Sequence, residues 1–322
     1  MRRYRILLWA ATCMAWGVAA QAQEQAEKRD MELVGYHDLQ GRSAYQPLVH
    51  AQGGRWIAYV GLPGHQPGAS GPVPTELHGP ISTGPKGNRV YYGYGTSTDG
   101  IVQIVDRDKL LRGPKEPTTE NLLYPQVGRL ELGQDAGAHT AFPVLGMQLG
   151  GPVQGNPLSD FVVVTSESLA NECREPRQMA WMVDLGDEAR PRAVASWTVP
   201  EASGNFCSRG GRFGTHSSNE SFSPIYYKRI VFFAHFNAGV RAVDIRDPYK
   251  PKEVGYYIPA ATDRTDKRCV RADGGPERCR GVIQTNNVEV DERGYIYIVD
   301  RAHTGMHILE LTGAARAIAA FK

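Results

Sequence analysis

One pattern that occurs four times along the chain constrains the fold more than any other feature. Each copy opens with a His or Asn and continues into a short run of β-branched and aromatic residues. A glycine-containing turn then leads to an apolar run that ends in Asp or Glu. The copies open at His78, at His139, at His216 and at Asn286 or Asn287. Self-similarity on this scale is typical of folds that stack one small unit several times.

Each copy has room for about four short strands, which predicts an all-β fold. The chain is rich in residues that interrupt helices, with 36 Gly and 21 Pro, and this favours tight turns over long helices. A lone four-stranded sheet with these apolar runs would leave an apolar face in water, whereas radial stacking buries it. We therefore predict a β-propeller-like array of about four full blades at residues 75–132, 136–199, 214–259 and 283–311. A β-sandwich is the alternative.

The two ends of the array suggest how it closes. The fourth copy offers three strands and then an Ala-rich tail, whereas residues 31–37, MELVGYH, resemble the closing strand of the third copy, KEVGYY at 252–257. We predict that residues 31–38 form a latch strand that completes the last blade; an edge strand of a sandwich is the alternative. Residues 45–61, which contain His50, predict a half-blade whose third strand is missing, either because blades were lost or because this blade is short.

The third copy also carries a family resemblance. Residues 239–248 read GVRAVDIRDP and are followed by PKEVG at 251–255. This phrase resembles the repeat of the LVIVD-repeat family of exported bacterial β-propeller proteins. The resemblance is strongest over residues 205–311 and weaker in the first two copies, which keep Asp106 and Asp184 but lack the Asp-Pro. The resemblance implies that the chain is an exported β-propeller and a shortened member of the family. It implies no particular biochemical activity.

The N-terminal residues 1–22 predict a secretory signal peptide. Three arginines within the first five residues precede an apolar stretch at 6–20, and Ala20 and Ala22 flank the expected cleavage site. A membrane anchor is the alternative, although the stretch is short for a hydrocarbon core. We expect a periplasmic or secreted protein, with residues 23–322 as a single propeller domain and no transmembrane segment after signal removal.

Cleavage would leave four cysteines, an even number in an oxidising compartment, which predicts two disulfides. Three pairings are available. The Gly-Gly-Pro turn at 274–276 favours Cys269 with Cys279, which leaves Cys173 with Cys207. A zinc site is the alternative, although the chain has no C-x-x-C pair.

Charge and motifs narrow the functional classes. The 36 Lys and Arg residues nearly balance the 34 Asp and Glu residues and are scattered, so we expect no nucleic-acid partner. Metalloprotease, P-loop, nucleophile-elbow and dinucleotide motifs are absent from the sequence. We therefore expect a binding or scaffold protein without assigned catalysis. Its partner, on this hypothesis, is a protein, a glycan or a small ligand.

The histidines that open the copies are the candidate site. First strands line the axis of a propeller, so His50, His78, His139 and His216 are expected to converge there. Imidazoles in that arrangement suit copper, zinc or iron, which would make the protein a metal-dependent oxidoreductase or hydrolase with unknown catalytic residues. The alternative is structural, with each histidine bonded to the backbone of the neighbouring blade. Additional carboxylates near the openers are Glu76, Glu220 and Glu289.

Overall fold

The fold is a four-bladed β-propeller. A computed structural model describes residues 26–39, 47–52, 54–60, 73–74, 77–83, 87–149, 158–271 and 274–321. Within these ranges four antiparallel sheets of at least four strands each are arranged around one axis. The predicted all-β array is therefore confirmed. Residues 1–22, the predicted signal peptide, lie outside the described residues.

Each blade places its first strand innermost and its fourth strand outermost. Blade 1 comprises β5 (Leu77–Ser82), β6 (Arg89–Tyr94), β7 (Ile101–Asp106) and β8 (Gln126–Glu131). Blade 2 comprises β9 (Thr140–Gln148), β10 (Leu158–Thr165), β11 (Ala180–Asp184) and β12 (Arg192–Trp197). Blade 3 comprises β13 (Ser217–Ser218), β14 (Ile230–Ala234), β15 (Val240–Asp244) and β16 (Lys252–Ile258). Blade 4 takes β19 (Thr285–Val290), β20 (Ile296–Asp300) and β21 (Met306–Leu311) from the C-terminal part of the chain.

The N-terminal segment completes blade 4 and also extends blade 3. Strand β2 (Met31–His37) pairs antiparallel with β21, which confirms the predicted latch. Just before it, β1 (Glu27–Arg29) adds a fifth strand to blade 3 by pairing with β16, a pairing that the sequence did not predict. The chain turns between the two blades at Asp30, whose φ is 53°. The Asp30 carbonyl accepts a hydrogen bond from the Thr312 amide at 3.0 Å.

A β-bulge recurs at the same place in all four outer strands. In each strand one valine is skipped in the register, and a Gly or Ala follows it; the valines are Val34, Val127, Val194 and Val254. A bulge locally increases the strand twist. The sequence similarity between residues 31–37 and 252–257 therefore reflects one shared backbone conformation.

The hydrophobic core lies between the blades. One cluster joins Tyr91 and Ile104 of blade 1 to Val162 of blade 2, and a second joins Phe142 of blade 2 to Phe233 of blade 3. A third combines blades 3 and 4 with Met31 of the latch. Strands β14 and β20 are buried along their whole length because both faces pack against neighbouring sheets. This burial explains their nearly continuous apolar sequences.

The remaining elements lie around this ring. The half-blade residues form the hairpin β3 (Pro47–Gln52) and β4 (Arg55–Val60), which lies against β19. The connection from blade 3 to blade 4 carries the hairpin β17 (Lys267–Arg271) and β18 (Glu277–Gly281). The helices are short: α1 (Arg107–Arg112), α2 (Thr119–Leu123), α3 (Phe206–Arg209) and α4 (Gly313–Ile318). Over the described ranges, no helix has the length and apolar character needed to cross a membrane.

Both predicted disulfides are present. Cys269 and Cys279 face each other across β17 and β18, and Cys173 is joined to Cys207 in α3. Each of these four cysteines lies in one of the two disulfides, which is the pairing that the sequence favoured.

Candidate functional site

Six polar side chains meet at one edge of the propeller, where inner strands begin and second strands end. Three are histidines at the start of inner strands: His78 in β5, His139 just before β9 and His216 just before β13. The others come from connections at the same edge: Glu167 follows β10, Arg212 leads into β13 and Arg301 follows β20. We call these six residues the mouth cluster. All four blades contribute to it.

The three histidines are stacked in series. The ring centroids of His78 and His139 lie 4.3 Å apart, and those of His139 and His216 lie 4.2 Å apart. The predicted convergence therefore holds for these three histidines. Strand β3 contains His50, whose side chain lies outside the described residues. Blade 4 has Asn286, not a histidine, near the start of its inner strand.

Hydrogen bonds distinguish the three imidazoles. The Nδ1 atom of His216 donates to the main-chain carbonyl of Asn286 in blade 4, which is the inter-blade bond of the structural alternative. The Nε2 atom of His78 contacts Thr96 Oγ1 at 3.1 Å. His139 bonds the hydroxyl of Thr140 through Nδ1 at 3.1 Å. The Nε2 atom of His139 is buried and has no hydrogen-bond partner among the described residues. The Nε2 atom of His139 is therefore a ring nitrogen that a ligand atom could bond.

Glu167 is the acidic centre of the mouth cluster. Its carboxylate is almost fully buried and accepts a hydrogen bond from Arg212 Nη1 at 3.0 Å and another from Arg301 Nη1 at 3.4 Å. Its other oxygen lies 3.8 Å from His139 Nε2. The main-chain amide of Glu167 donates to the Thr96 carbonyl of blade 1 at 2.9 Å, which fixes the residue between two blades.

Burial sets the protonation of the cluster. It lowers the pKa of His139 and of His216 well below the usual imidazole value, and the positive charge of Arg301 lowers both further. Both imidazoles are therefore neutral at neutral pH. Burial also lowers the pKa of Arg212, and repulsion from Arg301 adds to this effect. Two guanidinium groups thus face a single carboxylate amid neutral rings.

Three side chains of the cluster place potential metal-ligand atoms close together. One ligand atom each from His78, His139 and Glu167 lie within 4.8 Å of one another. Imidazole and carboxylate ligands suit zinc, copper and non-haem iron. Arg301 Nη2 lies 3.3 Å from His216 Nε2, and His216 Nδ1 is bonded to Asn286, so His216 is committed to protein contacts. In the mouth cluster, the side chains whose ligand atoms lie close enough together to hold a metal are those of His78, His139 and Glu167. The four-histidine metal site stays a prediction, because the side chain of His50 lies outside the described residues.

The other carboxylates that the sequence indicated lie elsewhere. Glu220 follows β13 and Glu289 lies near the end of β19, so this pair is at the opposite edge of the inner strands. Burial and the neighbouring Glu289 raise the pKa of Glu220 to about 7. Glu289 accepts hydrogen bonds from the amides of Glu220 at 3.3 Å and Ser221 at 3.1 Å. Glu76 lies outside the described residues.

Sequence reasoning missed Glu167, Arg212 and Arg301. Glu167 and Arg301 each follow a second strand within two residues, at the same edge as the blade-opening histidines. That position was the available signal. Arg212 had none, because it lies in an irregular connection whose path the strand pattern does not define.

Comparison with known proteins adds no relative. No protein-family profile matches the chain, and a search of curated proteins finds no match.

Proposed function

We propose that the chain is an exported binding propeller of the LVIVD-repeat kind that holds its ligand at the mouth cluster. The partner would be a protein, a glycan or a small molecule that presents a polar group to the cluster. No catalysis is assigned. The location would be periplasmic or secreted.

One observation carries this proposal: side chains from all four blades converge on one point, and a buried ring nitrogen of His139 remains without a hydrogen-bond partner there. Buried polar atoms are nearly always paired, so an unpaired one at a convergent site indicates a place for a ligand atom.

Two further features support the proposal, the first for export and the second for the repeat. The chain contains two disulfides, and disulfides persist in oxidising compartments. The recurring Val-Gly or Val-Ala bulge gives all four blades one outer-strand geometry, as expected of true sequence repeats. Residues 1–22 remain a sequence-based signal-peptide prediction.

A thermal-shift screen tests the site even though its ligand is unidentified. The library would contain metal ions, small anions, sugars and oligosaccharides, applied to the wild type and to His139→Gln. We expect at least one compound to raise the melting temperature of the wild type and to lose that effect in His139→Gln. The matched control is His307→Gln, because His307 is also a buried histidine but packs between Tyr36 and Tyr257 in the outer part of blade 4. Hits that persist in His139→Gln, or no hits at all, would contradict the proposal.

A metal-dependent enzyme is the second candidate, favoured by the proximity of His78, His139 and Glu167. In this case we expect a stoichiometric transition metal in protein purified without chelators. Loss of the metal in Glu167→Gln would assign it to the mouth cluster. Metal-free protein that does not bind added zinc or copper would exclude this candidate.

A further inference from the structure

We propose that the mouth cluster recognises an anionic group, a carboxylate or a tetrahedral oxyanion, through the paired guanidinium groups of Arg212 and Arg301. This inference rests on the proposed function and names the ligand chemistry of the same site.

Arg212 and Arg301 both lie against the ring of Phe236. Their guanidinium carbons are 5.4 Å and 5.6 Å from the centroid of that ring. Phe236 is fully buried, and the backbone of Phe236 is bonded in both directions to Thr285 of β19. The two cations therefore contact one rigidly held ring, and both donate hydrogen bonds to the same oxygen of Glu167. Arginine fixed in this way loses little conformational entropy when it binds an oxyanion.

Two cationic side chains of the mouth cluster share one carboxylate. The Oε1 atom of Glu167 accepts hydrogen bonds from Arg212 Nη1 at 3.0 Å and from Arg301 Nη1 at 3.4 Å. The nearby Glu175 carboxylate already accepts hydrogen bonds from Ser168 Oγ and from the amides of Leu169 and Ala170. An anion bound beside Glu167 would bring a second negative charge to the two guanidinium groups.

The Arg212 side chain has hydrogen-bond donors that the described residues do not use. It donates through Nη1 alone, to Glu167 and to the Ser168 carbonyl, which leaves its Nε and Nη2 groups for a ligand. Its side chain is about one quarter exposed, so these groups are reachable. Guanidinium groups bind carboxylate and phosphate oxygens in a two-pronged manner. The Nε2 atom of His139 lies near the same place, 3.8 Å from the other oxygen of the Glu167 carboxylate.

The same charge distribution opposes a divalent cation. A metal bound by His78, His139 and Glu167 would sit next to both guanidinium groups, because these bond the carboxylate that would bind the metal. Substitution of Glu167 therefore changes the affinity for the two ligand classes in opposite directions. Loss of this carboxylate removes a competitor of the anion and strengthens anion binding, whereas it removes a ligand of the metal and abolishes metal binding.

Isothermal titration calorimetry at low ionic strength would test the proposal with inorganic phosphate, sulfate and acetate as separate probes. We expect at least one of them to bind the wild type, and the preferred probe tells tetrahedral oxyanions from carboxylates. Arg301→Gln should weaken binding by about tenfold or more, the equivalent of losing one hydrogen bond between charged groups. Glu167→Gln should strengthen it, and added sodium chloride should weaken it.

Arg190→Gln is the control, because Arg190 is an exposed arginine that pairs with Asp187 in a surface turn of blade 2. It should bind within about twofold of the wild type. Should Arg301→Gln fail to fold, Arg212→Lys is a second test, because lysine keeps the positive charge but lacks the two-pronged donor geometry of the guanidinium group. The affinity of this variant for the anion should also fall. Absence of anion binding, or equal losses in Arg301→Gln and Arg190→Gln, would overturn the anion assignment. Zinc or copper binding that disappears in Glu167→Gln would also overturn it, yet would leave the mouth cluster as the binding site.

Discussion

Replacement of Met31 by Ala tests whether the N-terminal latch supports the ring. Met31 is fully buried and belongs to the core cluster between blades 3 and 4. It is the one buried side chain of β2, whose other residues are partly or fully exposed. Apart from the backbone ladder with β21, the strand is therefore held mainly by this side chain.

The expected loss follows from that burial. Truncation of a fully buried Met to Ala costs about 2–5 kcal/mol of unfolding free energy, because both apolar burial and packing contacts are lost. For domains of somewhat smaller size, each kcal/mol corresponds to a fall of about 2–4 °C in melting temperature. We expect Met31→Ala to lower the melting temperature by at least about 4 °C, and to lower the urea midpoint in parallel.

The control lies in the same strand. Val34 is the bulged residue of β2 and is 45% exposed, so Val34→Ala should change the free energy of unfolding by no more than about 0.5 kcal/mol. Urea denaturation followed by circular dichroism would compare both variants with the wild type. An unchanged midpoint in Met31→Ala would show that β2 detaches without loosening the ring. The latch would then have no structural role.

Two further predictions concern blade contacts and pH. A Cβ atom added at Gly128 would lie 1.8 Å from the Glu188 carbonyl oxygen of blade 2, so Gly128→Ala should cost at least about 1–3 kcal/mol in a urea titration. Gly79→Ala, in an open position of β5, should be neutral or slightly stabilising, and equal effects of the two would contradict the blade packing. The pKa of Glu220 is raised from 4.5 to about 7 in the folded protein, so the folded protein binds this proton more tightly than the unfolded chain does. The free energy of unfolding therefore falls as the pH rises from 4.5 to about 7, and the loss is complete above that pH. Glu220→Gln should remove this loss, which is on the order of 3 kcal/mol. The variant should be more stable than the wild type at pH 8 but not at pH 4. If the stabilities of the two proteins change with pH in the same way, the prediction is refuted.

The sequence predicted the blades because the features that mark a blade are local. Each blade is marked by short apolar runs such as that in β15, by glycine turns and by a recurring Asp, and each of these features depends only on a short stretch of chain. The latch was predictable because Val34 and Gly35 repeat Val254 and Gly255, and both pairs form the same bulge. Strand β1 was not predictable, because three mostly polar residues hold their place by pairing with β16 rather than by an apolar pattern.

The candidate site was predictable only in part. The position of His78, His139 and His216 follows from the repeat, since equivalent residues of a propeller converge on its axis. The composition of the cluster depends on Glu167 and on the two arginines, which reach it from connections of irregular length. Their approach is set by tertiary contacts, such as the shared Phe236 ring, which no single-sequence pattern encodes.

The central claim is that the mouth cluster is a ligand-binding site, and anomalous diffraction from crystals soaked in selenate tests it most directly. Selenate is a tetrahedral oxyanion whose selenium atom can be located without ambiguity. The account predicts an anomalous peak within hydrogen-bonding reach of Arg212 and Arg301, close to His139, and its loss in crystals of Arg301→Gln. A mouth without a peak in crystals that bind selenate elsewhere, together with no binding of acetate in solution, would contradict the account.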